Sequence, residues 1–355
     1  MNERLDPDQP GSWGVVWGVA VLLGVSLGAT IASFGVFTLP IVDIFRVTKE
    51  QAGLVAGAFL LTMTLAMPVV GWLLDRVPPT QVTVSGAAMA ALGYALAANA
   101  TGVDSLVLAM AIAGIGIGFS TYVPGIVLVT RQVLPARHGL AMGILLAAIS
   151  LGSVVFPPLM TAVIAAYGLR SALAGIGAGL FFPCVPFWFW VARKSAQQSP
   201  IVKEMSAVGG DIRATLLTGH YWSWVMMLML ITVSVMGVFM ALIPHLVSVG
   251  YSPGQAAAFG ALTGVATLVG IYVFAMGGER LGNELTLLLG TSMTAFGTLV
   301  LIGAADSKSG LGAVILFTIA WGATSSLASQ LSPLLLLEIV GQRNFGGLLG
   351  LGNLI

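Results

Sequence analysis

Two acid–base pairs mark a chain that carries few charges. Asp75 and Arg76 sit side by side in "GWLLDRVPPT", and Glu279 and Arg280 do so in "AMGGERLGNE", 204 positions later (279 − 75). Arg137 in "LPARHGLAMG" has a counterpart in Arg343 of "VGQRNFGGLLG", 206 positions on (343 − 137). Two acid–base helix ends and two arginine–glycine helix starts therefore share nearly one offset, as expected of a chain built from two related halves. The remaining polar residues suited to chemistry lie inside apolar runs and are uncharged. Tyr122, beside Ser120 and Thr121, pairs a hydroxyl donor with a ring that can pack on a carbon skeleton. Thr263 and Thr267 offer hydroxyls, and the same hydroxyls also serve as hydrogen bonds between helices. Trp321, Ser325 and Gln330 recur at four to five residues in the polar run "WGATSSLASQ", a spacing that shares one broad helix face. Gln330 needs a partner in a dry site. Phe34 and Phe37 line a cavity or pack against a neighbour. His245, after Pro244, is the side chain suited to a proton-responsive gate, with an ordinary interfacial histidine as the other reading.

The elements that position these residues follow from composition. Of 355 residues, 57% are hydrophobic and 8% charged, and the mean hydropathy is +1.01. A soluble surface needs far more polar cover, since charged residues make up about a quarter of ordinary globular chains. A membrane-spanning helix takes about 20 apolar residues. On that basis the chain is an all-α multi-pass membrane protein with spans near 13–41, 51–74, 80–100, 104–130, 139–166, 171–192, 221–247, 254–278, 285–304 and 311–337, and an eleventh beginning near 345. The polar segment 193–220 holds four bases and divides six spans from the rest. The expected organisation is a polar N-terminus (1–12), an N-terminal six-helix half (13–192), a central cytoplasmic linker (193–220) and a C-terminal half (221–355) that the repeat makes incomplete. With the N-terminus in the cytoplasm, ten bases fall inside and four outside, as the positive-inside bias requires. A second half of equal length would end near about 398, so a truncated C-terminus is expected.

Several functions are excluded. A net charge of +1 gives no reason to expect nucleic acid. The single Cys184 rules out an intramolecular disulfide. No span holds an acid–base pair, a metal-ligand cluster or a nucleophile–base set, so no enzyme, no metal and no cofactor is expected. The "GIGIGFSTYVP" glycines lie within an apolar run, with no strand before them, and are not a nucleotide loop. Gly114, Gly116 and Gly118 instead make a small-residue stripe on which helices can approach closely.

Gly71, Asp75 and Arg76 match the G-x-x-x-D-R signature between spans two and three of the major facilitator superfamily, which this chain resembles. The usual continuation is replaced by Pro78, Pro79 and Thr80. The resemblance implies a fold of two pseudo-symmetric six-helix halves. It also implies a latch in which the acid caps a neighbouring helix end and the base pairs across the joint. "GSWGVVW" at the start, "SFGVF", "GIGIGFSTYVP", "LPARHGLAMG" and "EIVGQRNFGGLLG" resemble, in order, signatures of the monocarboxylate transporter and oxalate/formate antiporter branch. That branch commonly carries a lysine in the first span and an Asp and Arg four apart in the eighth; Ala32, Thr267 and Ile271 stand at those positions here. Arg131 is expected to snorkel, and Glu338 to pair with Arg343.

The resemblance implies secondary transport of small organic acids across the cell membrane by alternating access, by symport with protons or by antiport. The expected partners are a small organic anion, a proton and the lipid bilayer. Efflux of hydrophobic or aromatic compounds is the alternative, since the candidate cavity is uncharged. A non-transporting homologue or gene fragment acting as sensor or scaffold is the reading from another class.

Overall fold

In the computed structural model, residues 10–133, 137–197, 215–303, 310–341 and 345–354 are described. They form helices throughout. Nine stretches among them are long and apolar enough to cross a membrane. One of these, His138–Arg193, covers 56 residues and holds Gly168 at φ 82° and ψ 168°, so it is two passes joined at a non-helical glycine. The hydrocarbon core admits backbone only when its polar groups are internally bonded, which makes each apolar run a helix.

The first pass is broken. Helix α1 (Pro10–Ala29) stops before Thr30, whose φ/ψ of −99°/−85° is not helical, and a short 3₁₀ turn (Ile31–Ser33) leads into α2 (Phe34–Phe45). Hydroxyls satisfy carbonyls at the break. Thr30 Oγ1 donates to the Ser26 carbonyl at 2.6 Å and Ser33 Oγ to the Gly28 carbonyl at 2.9 Å, all in a buried setting.

Helix α3 (Lys49–Leu74) begins in a capping box. Gln51 N–H donates to Thr48 Oγ1 at 3.3 Å and Thr48 N–H to Gln51 Oε1 at 3.0 Å, which satisfies two donors that a helix start otherwise leaves open. Helix α4 (Pro79–Ala98) starts on a proline at its first position, where the missing N–H costs nothing. The fourth pass is broken like the first: α5 (Val103–Ser120) and α6 (Tyr122–Thr130) are separated by Thr121, at φ −121° and ψ −105°. Then come α7 (His138–Gly179), a π turn (Leu180–Cys184) and α8 (Val185–Gln197).

The second part of the chain repeats these devices. Helices α9 (Gly219–Ser248) and α10 (Pro253–Leu281) follow the linker region, most of which lies outside the described residues. Helix α10 starts in a capping box between Ser252 and Gln255, with bonds of 3.3 and 3.0 Å. That box lies 204 positions after Thr48 and Gln51 (252 − 48; 255 − 51). Helix α11 (Asn283–Gly303) comes next, and the tenth pass is again split, into α12 (Leu311–Thr324) and α13 (Leu327–Val340) with Ser325 and Ser326 between them. Thr121 and Ser325, the two break points, are also 204 apart (325 − 121). A last helix, α14 (Phe345–Gly352), closes the described chain.

These helices sort into two compact units that do not follow chain order. The first comprises Met1–Pro135, Ala148–Ile212 and Val340–Ile355; the second comprises Ala136–Ala147 and Arg213–Ile339. In the first, α5 lies between α3 and α4. A side chain on Gly116 would run into Ala90 and Gly86 of α4, and side chains on Gly114 and Gly118 would meet Phe59, Thr62 and Met63 of α3. The glycine stripe expected from the sequence therefore serves two neighbours at once, with alternate glycines on opposite sides. In the second unit, α10 packs on α12, where a side chain at Gly322 would run into Ala266 and Thr263. Gly118 and Gly322 are one more pair at the offset of 204 (322 − 118).

Candidate functional site

Asp75 follows α3 as its C-cap and is nine-tenths shielded from solvent. Its Oδ2 accepts from the Gly347 backbone N–H at 3.0 Å, and its Oδ1 lies 3.2 Å from Arg131 Nη2. Gly347 is the third residue of α14, one of the positions whose N–H has no partner within its own helix. A carboxylate there also opposes the positive end of the helix dipole. The approach is close because Gly71, one turn earlier, has no side chain; a Cβ would enter the Gly346 carbonyl. Burial pushes the Asp75 carboxyl up from its ordinary value, against the Gly347 N–H and the Arg131 charge, which pull it down. Burial likewise lowers the Arg131 guanidinium, against the pull of Asp75.

Arg131 was legible only as a flanking cation. In the structure it is Asp75's ion-pair partner and also donates through Nη1 to the Leu74 carbonyl at 3.2 Å. Arg76, the expected pairing base, is exposed and lies 4.0 Å over the Trp72 ring.

The second unit carries the same arrangement. Glu279, in the last turn of α10, accepts from the Leu140 N–H at 3.3 Å, and Leu140 is the third residue of α7. Gly139 permits the approach, since a Cβ there would come within 2.9 Å of the Ala275 carbonyl. Ala275 stands 204 positions after Gly71 (275 − 71). Arg280 and Arg137 are exposed beside this cap, and Arg343 lies outside the described residues. Glu338 accepts from Asn283 Nδ2 at 2.7 Å.

The uncharged candidates divide between the units. In the first, Phe34 is half-buried and stands edge-on to Phe59, with ring centroids 4.8 Å apart, while Phe37 is buried at 6.3 Å from it. Tyr122 is half-buried at the first position of α6, directly after the break. In the second, Thr267 Oγ1 is within 2.9 Å of the Thr263 and Gly322 carbonyls and 3.0 Å of Ser325 Oγ. Thr263 Oγ1 donates to the Phe259 carbonyl at 2.8 Å. Gln330 is fully buried, and its Nε2 donates to the Ile271 carbonyl at 3.0 Å. Thr267 and Ile271, four residues apart on α10, are thus bonded to the two halves of the broken tenth pass.

Trp321 stacks on Phe317 at 5.4 Å, inside a cluster that includes Leu242, Leu246, Tyr251 and Val314. It is 1% exposed, so it packs the unit's core in this state. His245 is half-buried in α9, and its Nε2 is buried with no hydrogen-bond partner among the described residues. The capping boxes at Thr48 and Ser252 are a structural symmetry that the sequence reading missed. The signal was present, a Ser or Thr three residues before a Gln at the start of an apolar run.

A family model for the Major Facilitator Superfamily matches residues 19–355. The chain belongs to that superfamily. It is therefore a multi-pass transporter of the cell membrane, not an enzyme. Monocarboxylate transporter 13 of Bos taurus is 27% identical over 347 residues, covering 96% of this chain and 78% of the relative. The fosmidomycin resistance protein of Escherichia coli strain K12 is 33% identical over 124 residues, 35% of this chain and 30% of that protein. Among solved structures, the superfamily transporter FucP in its outward conformation superposes with a TM-score of 0.73 at 18% identity, covering 98% of this chain and 89% of FucP. The proton:xylose symporter XylE gives 0.72 at 15% identity, covering 97% of this chain and 85% of XylE. Identities to the solved structures this low show the fold alone.

Proposed function

We propose that this superfamily member carries small, monocarboxylate-like organic acids by alternating access, proton-coupled or in exchange, with its N-terminus in the cytoplasm. The observation that carries the reading is the duplicated cap. Asp75 on α14 and Glu279 on α7 are two matched carboxylate–helix contacts, each made by an element of one sequence half to an element of the other. A carrier that opens to each side in turn needs joints that hold in one state and release in the other, and a single buried or interfacial carboxylate on an open helix end is such a joint. Gly71, Asp75, Arg76, Arg137, Glu279, Arg280 and Arg343 form the gating set in this reading. Phe34, Phe37, Tyr122, Thr263, Thr267, Trp321, Ser325 and Gln330 are the substrate-binding set. His245 is the candidate for proton response. Residues 13–192 and 221–355 are the two halves, joined by a cytoplasmic linker at 193–220. The substrate class rests on the likeness to monocarboxylate transporter 13 along nearly the whole chain.

The test is uptake of labelled L-lactate into proteoliposomes, with and without an inward proton gradient. Saturable uptake stimulated by the gradient is the expected result. Monodisperse protein that takes up no lactate under either condition overturns the carboxylate reading. Efflux of hydrophobic or aromatic compounds is the second reading. It is favoured by a candidate set without a single charged side chain and by the Phe34–Phe59 ring contact.

A further inference from the structure

The break in the tenth pass leaves two buried polar atoms without partners. Ser326 Oγ and Gln330 Oε1 are both shielded from solvent, and neither has a hydrogen-bond partner among the described residues. They lie one helical turn apart, since Gln330 N–H donates to the Ser326 carbonyl at 3.1 Å, and residues four apart share a helix face. The orientation of the Gln330 amide is fixed by chemistry. The atom facing the Ile271 carbonyl at 3.0 Å must be the donor Nε2, so Oε1 is the free end. That free end is an acceptor seeking a proton-bearing group. A carboxylate oxygen brought to it would meet like partial charge, while an O–H or N–H would be bound.

No Lys, Arg or His stands within four residues of Gly143, Ile271, Ser326 or Gln330 in the sequence. Ile271 is buried and its carbonyl is already taken by Gln330. Thr267 is bonded to Gly322 and Ser325. Gly143 of α7 closes the other side, where a Cβ would touch Gln330 Nε2 at 3.4 Å. The ionisable side chains on α7, α10 and α13 are His138, Tyr167, Arg170, Tyr272, Glu279, Arg280 and Glu338. Those on α9 and α11, which also pack on α13, are His220, Tyr221, His245 and Glu284. Tyr272, next to Ile271, is a neutral phenol; the acids and bases on α7, α10 and α13 lie at least five residues along their helices from Gly143, Ile271 or Gln330 (143 − 138; 279 − 271; 338 − 330).

The geometry points to a substrate held in its uncharged form: the undissociated acid donates its O–H to Gln330 Oε1 and accepts from Ser326 Oγ–H through its carbonyl oxygen. This inference rests on the organic-acid reading and deepens it. The acid and its proton then travel as one neutral molecule, and no side chain has to take up or release that proton. In this state Thr267 and Ile271 fasten α10 to the two halves of the broken tenth pass. In the state described here both atoms are buried, so access requires the helices packed over them to part.

The test uses the full chain in proteoliposomes, with empty vesicles subtracted and only the saturable component read. Labelled propionate is the substrate, because as an anion it has no donor, and propionamide is its neutral, donor-bearing analogue. The expected initial rate follows the undissociated acid, falling about tenfold per pH unit above the acid's own pKa. Propionamide competes. Ser326→Ala and Gln330→Leu each raise the KM for propionate about tenfold, corresponding to the loss of one buried hydrogen bond. Saturable propionate uptake that stays constant from pH 6 to 8 at fixed total propionate, and ignores propionamide, overturns the inference and leaves the carboxylate reading standing. Absence of any saturable acid uptake sinks the carboxylate reading instead. Propionamide binding, read by tryptophan fluorescence and lost in both variants, then still upholds the donor-seeking site. No binding of propionamide overturns that site as well.

Discussion

Asp75 Oδ2 lies 3.0 Å from the backbone nitrogen of Gly347, 272 residues further along the chain. The bond ties the end of α3 to the start of α14 and places an acid on a helix N-terminus with unsatisfied donors. Loss of such a cap typically costs about 1 kcal/mol. Asp75→Ala is expected to lower the thermal midpoint of purified protein by a few degrees. Glu279→Ala should cost less, because Glu279 is exposed and its bond to Leu140 is longer, at 3.3 Å. Differential scanning fluorimetry on the two variants decides the order; a larger loss for Glu279→Ala would contradict it.

The pH dependence of stability carries a sign. Burial holds the Asp75 carboxyl above its ordinary value in the folded protein. The folded state therefore keeps the proton more tightly than the unfolded chain does. The group's contribution is fully present below the unfolded pKa and is lost as pH rises through the raised folded value. Asp75→Asn, which does not titrate, removes this term. Wild type should lose stability relative to Asp75→Asn as pH rises through the acid range, and then run parallel to it. A difference that grows in wild type's favour over the same range would mean that the Gly347 N–H and Arg131 outweigh burial.

Gly71 and Gly57 lie on the same helix and make a matched pair of tests. A methyl at position 71 would enter the Gly346 carbonyl, whereas one at position 57 meets nothing within 4 Å. Gly71→Ala should destabilise by roughly 2 kcal/mol through forced separation of α3 and α14. Gly57→Ala should be neutral or stabilise by up to about 1 kcal/mol through helix propensity. Equal effects at the two positions would show that the close approach of α3 to α14 does not matter to stability.

Thr267→Val keeps shape and removes the hydroxyl that meets the Gly322 carbonyl and Ser325 Oγ. Ser325 Oγ still donates to the Gly322 carbonyl at 2.9 Å, so the loss is expected to stay near about 0.6 kcal/mol, as is usual between membrane helices. Uptake should be altered more than stability, because the bond joins α10 to the break in the tenth pass. Unchanged transport kinetics with a drop in midpoint would assign Thr267 to packing alone.

The ten passes were legible because hydrocarbon allows little choice: an apolar run of sufficient length must bond its own backbone. The acid–base pairs and their offset were legible because they interrupt those runs. Other features were not. Nothing local in "NFGGLLG" says that α14 belongs with α3, or that the first turns of α7 belong with α10; those are tertiary pairings fixed by glycines that allow two backbones to touch. Arg131 looked like a flanking cation because its partner lies 56 residues away in sequence. The breaks at Thr121 and Ser325 fall at hydroxyl residues whose side chains bond the preceding turn, and Pro124, three residues past the first break, has no N–H to continue the ladder to Ser120. Thr121 Oγ1 donates to the Ile117 carbonyl at 2.7 Å and Ser325 Oγ to that of Gly322. That use of a hydroxyl reads in sequence like any other mid-span Ser or Thr.

The reach of the Asp75 bond also sets a schedule for biosynthesis. A ribosome adds about 5–20 residues each second, so Gly347 is made some tens of seconds after Asp75. During that interval α3 stands in the bilayer with its acid and Gly71 facing no α14. The nascent chain must hold the carboxylate with Arg131 as its early companion until α14 is made.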